Sequence, residues 1–233
     1  MNKATAILYF AKNPFADDKM QRFPRFLAPA FRGAFGILHQ QTAALLQQTG
    51  LPVFHSHEGN QNGSDFGRRI TSAVEEVLEA GFRSVLVVGN DIPDLSKQDL
   101  ESAIFSLNAG NNVLGPSTDG GAYLIGIQKT AFDAQNWIDL PWCTTLLFQS
   151  LLDDLSTDGV SPPHILRYLS DLDHSESIRH WLKHSAHKSA YRLRSFLRIL
   201  ISFAPVEFIF KDPPFISLRI GSTKSLRAPP VFL

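Results

Sequence analysis

Two periodicities alternate along the chain. Short apolar runs at 5–10, 51–55, 84–88, 113–115, 123–128 and 165–169 read as strands. Between them, apolar positions recur every three or four residues at 31–48, 66–80, 141–152 and 175–184, the spacing of amphipathic helices. Gly50 and Gly81 follow the first two helical patterns, where a helix commonly stops. Ser96, with Asp99 three positions on, predicts an N-cap and capping box for a further helix ending at Leu107. Residues 11–29, with Pro14, Pro24 and Pro29, read as a loop. This order predicts an α/β fold: a mostly parallel sheet with helices on both faces.

The 84–88 run is apolar on both faces, as expected of a strand in the middle of such a sheet. It leads through Gly89 to Asp91 and Asp94, and ligands of open α/β sheets bind beyond the carboxyl ends of the strands. A carboxylate there suits a hard divalent cation and a phosphorylated substrate. An Asp that only caps the next turn or helix is the alternative, and it applies with more force to Asp94. A second cluster runs Gly115-Pro116-Ser117-Thr118-Asp119-Gly120-Gly121-Ala122-Tyr123. The paired glycines permit close backbone approach or positive φ. Asp119 reads either as a ligand to substrate or metal, or as part of an Asp-Gly hairpin turn.

Composition narrows the class. The 233 residues suit one ordinary domain with a little left over, and the 44% apolar content supports a full core. One cysteine excludes an internal disulfide, so a reducing, cytoplasmic setting is expected. The net charge of zero conceals an asymmetry: residues 181–233 carry a balance of +7 and residues 1–180 a balance of −7. An acidic body does not fit a nucleic-acid-binding domain. Neither a Gly-x-x-x-x-Gly-Lys-Ser/Thr loop nor a Gly-x-Gly-x-x-Gly fingerprint is present. His55 and His57 read as surface histidines rather than a metal pair.

Taken together, Phe10-Ala11-Lys12-Asn13-Pro14, Gly67-Arg68-Arg69-Ile70, Gly89-Asn90-Asp91-Ile92-Pro93-Asp94-Leu95, the Gly115–Tyr123 run continued by Leu124-Ile125-Gly126, Trp142-Cys143-Thr144 and Asp171-Leu172-Asp173 resemble a bacterial glycosyltransferase-like family. That family belongs to the nucleotide-diphospho-sugar transferase superfamily, and the resemblance spans about residues 5–180. It implies a Rossmann-like sheet of GT-A type, a nucleotide or nucleotide-sugar donor with an unidentified acceptor, and Mg²⁺ or Mn²⁺. By the same resemblance, Asp91 is the metal-coordinating acid and Asp119 assists it. Lys12, Arg22, Gly120 and Gly121 attend the nucleotide and its phosphates, and the reaction is sugar or nucleotidyl transfer. The first loop departs from the family's usual Phe-Ala-Lys-x-Pro-x-x-Gly-x-x-Lys-Thr-Arg-Leu. Asp17, Met20 and Gln21 replace its Gly, second Lys and Thr, while Arg22 is kept. A nucleotide-binding protein that has lost turnover is therefore the alternative.

Two domains of unequal kind are expected: residues 1–180 carry the chemistry, and residues 181–233 form a basic extension. Within the extension, 186–203 reads as an amphipathic helix with Leu193, Phe196, Leu197 and Leu200 on one arc and Lys188, Arg194 and Arg198 on the other. Packing of the apolar arc on the domain is the ordinary expectation, and contact with an anionic membrane surface or a partner protein the other. Residues 206–210 and 215–220, around Pro213-Pro214, predict a hairpin.

Overall fold

The computed structural model describes residues 3–11, 28–156, 161–173, 175–184 and 191–203. The predicted hairpin and residues 186–190 of the predicted tail helix lie outside them. Six strands form one sheet: β1 (Lys3–Phe10), β2 (Val53–Ser56), β3 (Phe82–Val88), β4 (Val113–Pro116), β5 (Ala122–Gln128) and β6 (His164–Ile165), in the order β2-β1-β3-β5-β4-β6. β5 alone among them runs against its neighbours; β1 pairs in parallel with β2 and β3, and β4 with β6. The expected mostly parallel α/β sheet is what forms. β3 is central, and every residue from Ser84 to Val88 is buried, as its two-faced apolar pattern requires.

Helices α1 (Ala28–Gln47), α2 (Phe66–Glu79), α3 (Lys97–Asn108), α4 (Ala134–Asp139), α5 (Leu147–Asp154), α6 (Ser175–His184) and α7 (Tyr191–Phe203) complete the described chain. One face of the sheet packs Ala6, Leu8, Val85 and Val87 against α2, α4 and α5. The other packs Ile7, Tyr9, Leu86 and Val88 against α3 and the end of α1. A third apolar layer lies outside α1, where Phe31, Phe35 and Leu38 meet Leu172, Ile178, Trp181, Leu193 and Leu197.

Several expected boundaries move, each for a local reason. α1 starts at Ala28 because Pro29, at the second helical position, lacks only an N–H that the first turn leaves unpaired in any case. Residues 141–146 are not helical. The Thr144 hydroxyl donates to the Pro141 carbonyl at 2.7 Å and accepts from Leu146 N at 3.2 Å, a local turn that competes with helix. Cys143 within it has φ +60, and the helix begins only at Leu147. α4, missing from the pattern reading, is opened by Asp133, whose carboxylate accepts from Gln135 N and Asn136 N. β6 is two residues long. Its continuation is broken at Arg167, whose carbonyl accepts from the Tyr123 hydroxyl at 3.1 Å, and pairing resumes only as a single bridge at Leu169. The Ser96–Asp99 capping box forms as read.

Candidate functional site

The parallel strands bring their carboxyl ends to one edge. There β1 delivers Ala11, whose N donates to the Ser56 carbonyl at 3.0 Å. Lys12 and Arg22, expected next to nucleotide phosphates, lie outside the described residues.

β3 delivers Gly89-Asn90-Asp91. Gly89 N donates to the Tyr123 carbonyl at 3.2 Å, and a Cβ on Gly89 would stand 3.3 Å from Asp91 Oδ1. The missing side chain thus leaves the carboxylate its place. Asp91 is half-buried and its carbonyl accepts from Leu172 N at 2.9 Å. Asp94 has a structural part: its carbonyl accepts from Arg167 Nη2 at 2.8 Å, just before the α3 cap.

Asp119 sits in the 117–121 turn that joins antiparallel β4 and β5. Ser117 N donates to the Gly121 carbonyl at 2.9 Å, and Gly120 N to the Ser117 carbonyl at 3.2 Å. Asp119 itself is exposed, and its Oδ1 accepts from Gly121 N at 2.9 Å. Gly120 has φ +92, and any Cβ there would collide with the Thr145 carbonyl. On Gly121 a Cβ would stand 3.2 Å from Asp119 Oδ1. The glycines therefore let the turn fold under residues 144–148, an arrangement also tied by Phe148 N to the Gly120 carbonyl at 3.0 Å.

Asp91 and Asp119 share this edge on either side of the start of β5. The 169–172 segment runs between them: Leu169 bonds Pro116 and Thr118 at one end, and Leu172 bonds Asp91 at the other. The segment also carries Asp171, buried at the same edge, whose only sign in the sequence was the Asp-Leu-Asp run. Among the described residues, no three His, Cys, Asp or Glu side chains converge as a metal-binding group.

Two further groups were not legible as such. Arg167 grips Asp99 with Nε at 2.8 Å from Oδ1 and Nη2 at 2.9 Å from Oδ2. Burial pushes the Asp99 carboxyl up, but the bonds from Arg167 and Ser96 outweigh it and hold its pKa below the ordinary carboxylate value. Tyr9 lies among histidines, stacked on His55 at 5.0 Å and bonded through its hydroxyl to His39 Nδ1 at 3.0 Å. Burial, then the Asp91 charge, raises the Tyr9 phenol, so it stays protonated. Burial, then His55, lowers His39. His55 also approaches the Ala11 carbonyl through Nε2 at 3.3 Å, and His57 Nδ1 accepts from Gly59 N at 3.1 Å. These histidines are thus structural partners of the β1–β2 edge.

A family described as uncharacterized proteins conserved in bacteria, DUF2064, matches residues 28–144, from the start of α1 through the Trp142-Cys143-Thr144 turn. No curated protein matches the chain. A crystal structure from Desulfovibrio desulfuricans G20, provisionally named a nucleotide-diphospho-sugar transferase, is 20% identical with a TM-score of 0.75, covering 87% of this chain and 98% of that one. Rv0371c from Mycobacterium tuberculosis H37Rv is 15% identical with a TM-score of 0.42, covering 78% and 99%. A glycosyltransferase involved in glycosylation of the major capsid of PBCV-1 is 11% identical with a TM-score of 0.41, covering 82% and 99%. The first of these likenesses shows the fold, an α/β architecture of GT-A-like type.

Proposed function

This chain belongs to the DUF2064 family of bacterial proteins, and from that premise we propose that it is a metal-dependent transferase using a nucleotide-activated donor, of glycosyltransferase type. The observation that carries this reading is the position of Asp91: half-buried at the carboxyl end of the central strand, beside a glycine that makes room for its carboxylate. In open α/β sheets that edge is where ligands bind, and the GT-A-like fold supports the same choice.

The donor set fits a cation that arrives with its substrate. Mg²⁺ and Mn²⁺ need only one or two protein carboxylates when phosphates supply the other oxygens, so Asp91, assisted by Asp119, would hold the ion. A cation held by Asp91 and Asp119 would supply positive charge against that of the departing diphosphate. Lys12 and Arg22 act on the same phosphates, and the Gly120-Gly121 pair, seated under Thr145, shapes the turn that carries Asp119. Transfer proceeds directly to the acceptor: the Ser102 Oγ and His164 Nε2 pair, 3.2 Å apart, lies at the amino-terminal start of β6, away from the carboxyl edge, and offers no covalent relay there.

The test is a thermal-shift titration against nucleoside diphosphates, triphosphates and nucleotide sugars, with and without Mn²⁺. A ligand that binds only the native state raises the melting temperature by mass action. The expected result is a Mn²⁺-dependent rise selective for one nucleotide and lost in Asp91→Asn. Equal rises in wild type and Asp91→Asn would sink the assignment.

The first loop favours a second reading, a nucleotide-binding protein without turnover. By the resemblance, the loop expected to meet phosphate carries two acids, Asp17 and Asp18, and has Met20 in place of a lysine. Binding survives the loss of groups needed only in the transition state. Turnover of the identified donor by the unmodified protein rules this reading out. Turnover appearing only in Asp17→Gly with Met20→Lys establishes it.

A further inference from the structure

Just beyond β6, at the carboxyl edge of the sheet, an aromatic ring stands in water. Tyr168 is 61% exposed. In a regular strand Leu166 and Tyr168 would share one face, since side chains alternate. Leu166 and Leu169, three positions apart, are instead both buried in the cluster on the α3 face, because the break at Arg167 shifts the phase of the strand. Tyr168 is thereby turned out of the core, and its ring meets half-buried Phe148 edge to face at 6.0 Å. Both residues are tied to the turn that carries Asp119. Leu169, next to Tyr168, bonds Pro116 and Thr118, and Phe148 N donates to the Gly120 carbonyl. The Thr118 hydroxyl donates to Ser170 Oγ at 3.2 Å, joining the same two segments. Thr118 and Asp119 are exposed.

We propose that Tyr168, backed by Phe148, is the platform for a neutral sugar acceptor, an assignment that rests on the transferase reading above. A pyranose ring offers an apolar C–H face, which an aromatic ring covers, and a rim of hydroxyls that carboxylate and hydroxyl oxygens accept from. Asp119, Thr118 and Ser170 supply such oxygens in the segments that hold the two rings. A single exposed apolar residue needs no explanation. An open aromatic ring beside polar groups, at a ligand-binding edge, has the make-up of a small-molecule site. Charge selects a neutral acceptor: Asp91, Asp119 and Asp171 lie along this edge, and residues 1–180 carry a balance of −7. A phosphorylated acceptor would be repelled. β3 and β6 are three strand spacings apart, about 14 Å, which leaves room for the donor's sugar between Asp91 and Tyr168.

The experiment is saturation-transfer NMR of the full chain with the methyl pyranosides of glucose, galactose and mannose, followed by titration of whichever binds. No donor is added, since both rings are already in place. The expected result is saturable binding of at least one glycoside, with transfer strongest to the C–H protons of one ring face. Tyr168→Ala should weaken that binding at least about fivefold, whereas Tyr168→Phe keeps the ring and should stay within about twofold. Because Tyr168 is exposed, Tyr168→Ala should leave the urea midpoint where it is, which separates a binding role from a structural one. Glucose 6-phosphate should bind more weakly than glucose. Equal or tighter binding of the phosphate overturns the choice of a neutral acceptor. No binding of any glycoside, or equal binding in Tyr168→Ala, overturns the proposal even where the nucleotide panel responds. Glycoside binding through Tyr168 in a protein that no nucleotide stabilises would sink the transferase reading, leaving a sugar site and overturning its acceptor role.

Discussion

Asp99 shows how one carboxylate can serve two elements. It closes the α3 capping box with Ser96 and takes both donors of Arg167, whose third contact fixes the Asp94 carbonyl. The ion pair therefore braces the turn that follows Asp91 against the segment after β6. Its folded pKa is depressed, so its contribution is full above the unfolded carboxylate value of about 4 and is lost as pH falls through the lower folded value. Arg167→Leu leaves a buried carboxylate without its partner. We expect it to cost about 2–4 kcal/mol in urea unfolding at neutral pH and to reduce the acid sensitivity of stability below about pH 4. An unchanged midpoint would show that Ser96 alone satisfies Asp99. The capping half of this arrangement was legible, because Ser-x-x-Asp is a local pattern. The Arg167 half was not, because no spacing rule joins residues 68 positions apart.

Among the elements, docking of α2 turns on Gly67. A Cβ there would lie 2.6 Å from the Ile138 carbonyl and 2.9 Å from Trp142 Cδ1. Trp142 is fixed in turn by its indole N–H, which donates to the Trp137 carbonyl at 2.6 Å. Gly67-Arg68-Arg69 and Trp142-Cys143-Thr144 were read as separate motifs; in the fold they are two sides of one contact, which gives both a packing role. Gly67→Ala should push α2 off α4 and cost about 1–3 kcal/mol, read by urea unfolding together with tryptophan emission. Gly36, inside α1, has open space where its Cβ would stand, and Gly36→Ala should stabilise by up to about 1 kcal/mol. Loss of stability in both variants would mean that helix propensity, not the Trp142 contact, had been misjudged. The strands and long helices were legible because their periodicities are regular over many residues. The 141–146 turn was not, since its conformation depends on the Thr144 hydroxyl and on how Gly120 nests beneath Thr145.

For the molecule as a whole, charge and packing divide the chain differently. The balance of +7 begins at Trp181, and on that basis the body was expected to end at residue 180. The packed layer runs across this point: Ile178 and Trp181 on α6 share one cluster with Leu193 and Leu197 on α7 and with Phe31, Phe35 and Leu38 on α1. The sequence held a hint in α1. Its apolar positions serve two sides, with Leu46 toward the sheet and Phe31, Phe35 and Leu38 along another stripe that needs its own cover. What supplies that cover is a long-range fact, and local charge pointed elsewhere. Ending the chain at residue 180 removes Trp181, which is 2% exposed, together with all of α7. Loss of one buried tryptophan costs about 3–5 kcal/mol, and the exposed phenylalanine stripe adds a tendency to associate. We expect such a chain to unfold at markedly lower urea and to elute as aggregates, whereas one ended at residue 203 retains the layer and the full-length midpoint. Equal midpoints for all three would mean that α6 and α7 unfold independently of the sheet. The carboxyl edge would then be carried by the first 173 residues alone.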